Sequence, residues 1–226
     1  MKIGVIGSGN MGRALGVRLA NLGHSVMFGA RRPGQAAAAA ALAGSGGKSG
    51  STDDAARFGE VLVWTMREPN PAAVLTDPSL LDGKIVIDLN NRHYAEARSG
   101  ALPAQAIAAQ LQAKAAKARV VKAFNTIAME AFDTSPAALR AGGAQTFIAG
   151  DDPEAKAAVV KLSDELGFEA VDVGGIEQAF VVEALGDVVR LVMIEGGRGF
   201  LAHLRIAALP NPDLQTIGSR DPSPYG

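Results

Sequence analysis

The sequence contains no cysteine, so it can carry neither a disulfide framework nor a thiolate metal site. No apolar run approaches the roughly 20 residues that span a bilayer. The start shows no signal-peptide pattern, because a strand-like run begins at Lys2. Net charge is −1 over 226 residues, so no global field calls for nucleic acid or an anionic membrane. No His/Asp/Glu set has metal-ligand spacing. The most informative absence is local. No Asp or Glu precedes Asp53, while the same stretch carries Lys2, Arg13, Arg18, Arg31, Arg32 and Lys48. The rest of the chain holds all 23 acidic groups against 16 of the 22 basic ones. Positive charge is therefore collected at one end. A cytoplasmic chain is expected, long enough for one full α/β domain and a smaller second unit.

What that basic end does contain is a strand–turn–helix–strand pattern. Lys2-Ile3-Gly4-Val5-Ile6 suits a buried parallel strand. Gly7-Ser8-Gly9-Asn10-Met11-Gly12 follows at once and fits G-x-G-x-x-G. Leu15, Leu19 and Leu22 recur at helical spacing, Gly23 is placed to end the helix, and Ser25-Val26-Met27-Phe28 reads as a second strand. This context makes an otherwise weak motif specific. Gly7 permits the tight turn, Gly9 lets the backbone approach a pyrophosphate, and Gly12 lets the helix pack on the strand. The helix start offers unpaired N–H groups and a positive dipole end to that pyrophosphate. A glycine-rich turn in another α/β fold is the bland alternative.

The charge after the second strand selects the dinucleotide. An NAD site places Asp or Glu there to hold the ribose 2′-hydroxyl. Here Ala30 holds that position and Arg31 and Arg32 follow. A guanidinium can grip a 2′-phosphate with two parallel hydrogen bonds, where a carboxylate would repel it. NADP(H) is expected, with Arg31 as the main phosphate ligand and Arg32 flanking it or stacking on the adenine. Either Arg alone could be a solvated surface charge.

Strand and helix patterns then alternate. Pro33 opens an alanine-rich helix, and the Gly44–Gly50 patch reads as a flexible turn that could conceal a very short strand, not as a phosphate loop. Asp53-Asp54 and Asp151-Asp152 read as helix caps. Further strands are expected at Glu60–Trp64, Lys84–Leu89, Arg119–Phe124, Gln145–Ala149 and Phe168–Val173. Helices are expected near Ala72–Leu75, over Pro103–Ala118, and from Asp152 to Leu166, with a loop through Arg92-His93-Tyr94. From Glu177 to Leu209 a helical pattern is interrupted at Gly186 and at Gly196–Gly199. The fold class is α/β, a Rossmann-type doubly wound parallel sheet with a small C-terminal α-rich unit. Its expected divisions are 1–149 for the nucleotide-binding domain, 150–209 for the small domain with a closing helix, and 210–226 for an irregular tail.

Ligands of such sheets bind outside the carboxyl ends of the strands. Those ends carry Ser8, Asn10, Met11, Arg31, Arg32, Trp64, Thr65, Met66, Asn90, Asn91, Ala123, Asn125 and Thr126. Asn90 and Asn125 stand where a nicotinamide would lie, although capping is the bland alternative. Trp64 reads as core or lid packing. His24 lies on the far side of the sheet and His203 in the last helix; His93 alone is near the mouth. No catalytic residues are assigned. Hydride transfer between two redox cofactors needs positioning and no general acid–base pair, whereas reducing a ketone or imine usually needs a proton donor.

The chain resembles the deazaflavin (coenzyme F-420)-dependent NADP reductases and is similar to the reductase domain of the six-transmembrane metalloreductases. The resemblance rests on Ile6–Gly12, Gly29-Ala30-Arg31, Gly83–Asp88 with Asn90-Asn91, Val121–Thr126 and Phe147–Asp152. It implies NADP(H) on the first domain and a deazaflavin or flavin ring stacked in the same cleft. It also implies a small closing domain and a homodimer. Carried over, Gly7, Ser8, Gly9, Asn10, Met11 and Gly12 form the pyrophosphate turn and Arg31 holds the 2′-phosphate. Thr65, Met66, Asn90, Ala123 and Asn125 fall beside the nicotinamide. Ala30 replaces a usual hydroxyl residue, and Trp64-Thr65-Met66 replaces a smaller apolar-proline pattern. The expected function is an NADP(H)-dependent oxidoreductase with a small-molecule redox partner, neither nucleic acid nor membrane. The rivals are a reductase of small carbonyls or imines, protonated by water or His93, and a non-catalytic NADP(H) sensor.

Overall fold

Ile3, Val5 and Ile6 are wholly buried because their strand, β1 (Lys2–Ile6), lies at the centre of a sheet covered on both faces. The structure, a computed structural model, describes residues 1–100 and 105–208. The strands lie in the order β3 (Gly47–Gly50), β2 (Ser25–Gly29), β1, β4 (Val61–Trp64), β5 (Ile85–Asp88), β6 (Arg119–Lys122), β7 (Gln145–Gly150), β8 (Glu169–Asp172). The boundary expected between residues 149 and 150 falls at the end of β7, inside this sheet. Every neighbouring pair is parallel except β6–β7, which runs antiparallel through Val121–Gly150 and Lys122–Ala149.

The helices are α1 (Asn10–Asn21), α2 (Pro33–Leu42), α3 (Thr52–Phe58), α4 (Tyr94–Arg98), α5 (Ile107–Lys114), α6 (Pro136–Ala141), α7 (Pro153–Leu166) and α8 (Ala179–Ile194). Alternate strand side chains point to opposite faces, and this sorts the core into two layers. Ile3 and Val5 pack with Leu15 and Leu19 of α1 and Val159 and Leu162 of α7. Ile6, Leu62 and Trp64 pack with Ala55 of α3, Leu111 of α5 and Val182 of α8. Burying each Leu or Val contributes about 1.5–3 kcal/mol, and helices on both faces make the sheet doubly wound.

Several elements differ from the sequence reading. Gly47–Gly50, in the glycine-rich patch, is an ordered edge strand paired with β2. Leu22 is not on the buried stripe of α1; it is the C-cap and 36% exposed. The expected helix at Ala72–Leu75 is a 3-10 turn, Pro71–Ala73, opened by Pro71 after the N-cap Asn70. A short helix, α4, begins at Tyr94 where a loop was expected. The long helix expected over Pro103–Ala118 is only Ile107–Lys114, and the part of that expectation at 103–104 lies outside the described residues. The C-terminal helix runs without a break through Gly186 and ends at Ile194. Residues 197–208 contain no helix, so His203 is not helical; the tail expected at 210–226 lies outside the described residues. Of the two aspartates read as a cap, Asp54 forms the capping box with Ser51, while buried Asp53 accepts from Thr76. Asp152 caps α7, its Oδ1 accepting the Ala155 N–H at 2.7 Å.

Candidate functional site

The strand order reverses between β1 and β4, and such a switch point opens a crevice at the carboxyl ends of the strands. A cleft of about 1080 Å³ lies there. Every residue expected to hold the dinucleotide lines it except Ala123. That alanine is wholly buried in the core, with its N–H donated to the Asp88 carbonyl at 3.1 Å.

At one end is the glycine turn. Gly7 has φ +105°, and a Cβ there would sit 2.5 Å from Thr65 Oγ1, so both conformation and space require glycine. Thr65 Oγ1 in turn donates to the Gly7 carbonyl at 2.7 Å, which makes Thr65 a brace for the turn. The Ser8 hydroxyl likewise turns inward, to the Gly29 carbonyl at 3.0 Å. At Gly9 a Cβ would meet nothing within 4 Å; the backbone faces open space. No side chain caps α1 and no acid stands in its first turn, leaving N–H groups and the positive dipole end available to an anion. Arg31 and Arg32 are exposed beside this turn, and among the described residues neither side chain has a hydrogen bond or ion pair.

The far end is built differently. Phe124 is the one described non-glycine residue with positive φ, +58°, a conformation costing about 1–2 kcal/mol. Its N–H donates to Thr146 Oγ1 at 2.9 Å, and its ring packs edge-on against Phe132 and Phe168. This held turn presents Asn125 and Thr126. Asn125 Nδ2 donates to Asn91 Oδ1 at 2.9 Å and to the Val182 carbonyl of α8 at 2.8 Å, while Asn91 Nδ2 donates back to the Asn125 carbonyl at 2.6 Å. Gly186 lies against this pair: a Cβ would fall 2.5 Å from Asn91 Oδ1. The glycine that reads as a helix break in the sequence is instead what lets α8 close on the two asparagines.

Beneath them is a charged knot with no access to solvent. Lys122 Nζ reaches Asp88 Oδ2 at 2.7 Å and Glu183 Oε1 at 3.0 Å, and also donates to the Asn90 carbonyl. Asn90 Nδ2 donates to Asp88 Oδ1 at 2.5 Å and to the Trp64 carbonyl at 3.1 Å. Asn90 is thereby fixed by its own amide, and Trp64 is core, its indole N–H donated to the Glu68 carbonyl. Burial raises the Glu183 carboxyl above its ordinary range against the opposing pull of the Lys122 ammonium.

Contributions that sequence reasoning missed come mainly from α8. Gly186, Val189, Arg190, Met193 and Ile194 line the cleft, and only α8's periodicity signalled an amphipathic helix. Asp187 holds Arg92 at 2.6 Å and also binds Arg190, tying α8 to the chain after β5. His93 lines the cleft. His24 does not; its Nε2 is 2.7 Å from Glu165 Oε2.

The residues fit a nicotinamide dinucleotide. Asn125 Oδ1 and Thr126 Oγ1 are buried without any protein partner, and buried polar atoms are rarely left so. A carboxamide offers both donors and an acceptor to such a pair.

Fold and cleft together define a Rossmann-type nucleotide-binding protein. Residues 2–92 match the family described as NADP oxidoreductase coenzyme F420-dependent. The chain is 32% identical over 184 residues to the rat metalloreductase STEAP3, covering 81% of this chain and 36% of that protein. It thus spans about a third of the length of the curated relatives it matches, mouse STEAP2 included, at 27% identity and 35% of that protein. A crystal structure of a candidate f420 dependent nadp-reductase from Arthrobacter sp. FB24 superposes with TM-score 0.74 at 28% identity, covering 92% of this chain and 100% of that one. A Bacillus cereus imine reductase shares the fold, with TM-score 0.60 at 19% identity over 84% of this chain and 59% of that one. Over these stretches the chain is thus similar to NADP-dependent oxidoreductases.

Proposed function

We propose that the chain transfers a hydride between NADP(H) and a planar acceptor of the deazaflavin or flavin type, bound in the cleft under α8. The observation that carries this reading is the lining of the far end. Met66, Leu89, Ile127, Val189 and Met193 supply apolar walls, and among the described residues no Asp, Glu or Tyr lines the cleft beside them. Such walls suit a flat ring, and transfer between two redox rings asks for alignment more than for proton donors. The description of the matched family, NADP oxidoreductase coenzyme F420-dependent, supports the same acceptor class.

NADPH, when bound, supplies the hydride; the chain's own residues bind and orient. The α1 N-terminus with Gly7–Gly12 takes the pyrophosphate, and Arg31, flanked by Arg32, takes the 2′-phosphate. Asn125 and Thr126 fix the carboxamide, Asn90 shapes the floor, and Thr65 and Met66 hold the wall opposite. Val189 and Met193 of α8 keep water from the reacting faces. A cytoplasmic location and a homodimer are part of this proposal. Among the described residues no helix is long and apolar enough to cross a membrane.

Stopped-flow oxidation of NADPH against a deazaflavin, FMN and a panel of carbonyls and imines tests the reading. Rapid oxidation by a planar acceptor is expected. Turnover confined to carbonyls or imines and lost in His93→Gln would overturn it in favour of a proton-assisted reductase. Tight NADPH binding without oxidation by any acceptor would make the chain a sensor.

A further inference from the structure

We infer that Asn91 is a positioning residue: acting through Asn125, it makes the cleft selective for the amide N–H of the coenzyme's carboxamide. The inference rests on the NADP(H) reading above and adds which side chain sets the direction of that recognition.

A side-chain amide has a donor end and an acceptor end, and its partners decide which way it points. Here two main-chain carbonyls, which can only accept, decide it for both asparagines. The Val182 carbonyl of α8 takes a proton from Asn125 Nδ2 at 2.8 Å. The Asn125 main-chain carbonyl takes one from Asn91 Nδ2 at 2.6 Å, which turns Asn91 Oδ1 toward the Asn125 side chain. That oxygen accepts the second Asn125 Nδ2 proton at 2.9 Å. Reversing the Asn125 amide would set its oxygen against both the Val182 carbonyl and Asn91 Oδ1.

Both N–H bonds of Asn125 are therefore used inside the protein. One bond alone would let the amide swivel about it; the second, to Asn91, fixes its plane. What remains is Asn125 Oδ1, buried without a protein partner on a residue only 5% exposed. An amide oxygen only accepts, so a donor must satisfy it. Thr126 Oγ1, also buried without a partner, has a proton to donate. The pair thus matches a carboxamide with its nitrogen toward Asn125 and its oxygen toward Thr126. Gly186 leaves room for the arrangement: a Cβ there would lie 2.5 Å from Asn91 Oδ1 and 2.9 Å from Asn125 Nδ2, at both ends of the bond that joins them. A site built to bond one polar group rejects the analogue lacking it, because its own buried atom is left unpaired.

The 3-acetylpyridine analogue of NADP+ replaces the amide nitrogen by a methyl group of similar size and keeps the carbonyl oxygen. Titration calorimetry gives the dissociation constants of both coenzymes. NADP+ should bind the wild type about tenfold tighter than the analogue. Asn91→Leu should shrink that ratio to about threefold or less, whereas Asn91→Asp keeps an oxygen facing Asn125 Nδ2 and should hold it. Gly186→Ala presses on the same bond from α8 and should shrink the ratio too, which serves where Asn91→Leu does not fold. Thr126→Val should weaken both coenzymes and leave their ratio intact. Equal affinity of the wild type for the two coenzymes would overturn the inference and leave the NADP(H) reading standing. A ratio unchanged in Asn91→Leu would overturn it as well, assigning the orientation to the Val182 carbonyl alone. So would a ratio lost equally in Asn91→Asp and Asn91→Leu, which would make Asn91 merely structural. If neither coenzyme binds, both readings fall together.

Discussion

The two ends of the cleft are made by different means. At the adenine end, Gly7 to Gly12, Arg31 and Arg32 lie within one strand–helix–strand unit, and the two arginines are exposed and unengaged. At the end proposed for the nicotinamide, Asn90, Asn91, Asn125 and Gly186 come from three distant segments, fixed by one another and by the Lys122–Asp88–Glu183 knot. The first end is a prepared surface waiting for charge. The second is a finished piece of core in which Asn125 Oδ1 and Thr126 Oγ1 are buried without a protein partner. Binding groups can thus be placed cheaply where a local motif supplies them, and need a buried framework where it does not.

The comparison is most sharply broken at the knot. Lys122→Met leaves two carboxylates buried without their cation, a change that typically costs about 3–5 kcal/mol; urea unfolding should show a loss of that size. A loss under about 1 kcal/mol would mean that the knot does not hold the far end. A smaller effect is expected at Glu183. Because folding raises its pKa, the folded chain binds that proton more tightly than the unfolded one. Stability should fall as pH rises from the ordinary carboxylate range toward the raised value. Glu183→Gln should flatten that slope in a pH series of unfolding midpoints, and an unchanged slope would assign it to another group. The smallest effect belongs to the open end: Arg31→Gln, exposed and unpaired, should shift unfolding by no more than about 0.5 kcal/mol. A larger shift would show that Arg31 has a structural duty.

How much of this was legible follows the same division. The turn, α1, β2 and the arginine pair were readable because each signal lies within a few residues of the next. Strand positions were readable from apolar runs such as Val61–Trp64 and Ile85–Asp88. The antiparallel β7 was not, since a strand's direction leaves no mark on its composition. Gly186 misled because a glycine that breaks an isolated helix and one that admits Asn91 look alike in sequence. The β-strand at Gly47–Gly50 was obscured by residues with little β preference; pairing with β2 overrides that. Lys122, Asp88 and Glu183 are spaced 34 and 61 residues apart, too far for any local pattern to join them. Ala123 was misplaced because residues two apart at the strand end differ in fate: Ala123 is buried in the core and Asn125 lines the cleft.

The account depends most on Arg31 and Arg32 selecting the phosphorylated coenzyme, with no carboxylate among the described residues lining the cleft to oppose them. Dissociation constants for NADPH and NADH on the wild-type chain and on Arg31→Glu test this directly. Charged hydrogen bonds contribute about 1.5–3 kcal/mol, so NADPH should bind at least about tenfold tighter than NADH to the wild type. The variant should erase or invert that ratio. Equal affinity of the wild type for the two coenzymes, or a ratio untouched by Arg31→Glu, would contradict it.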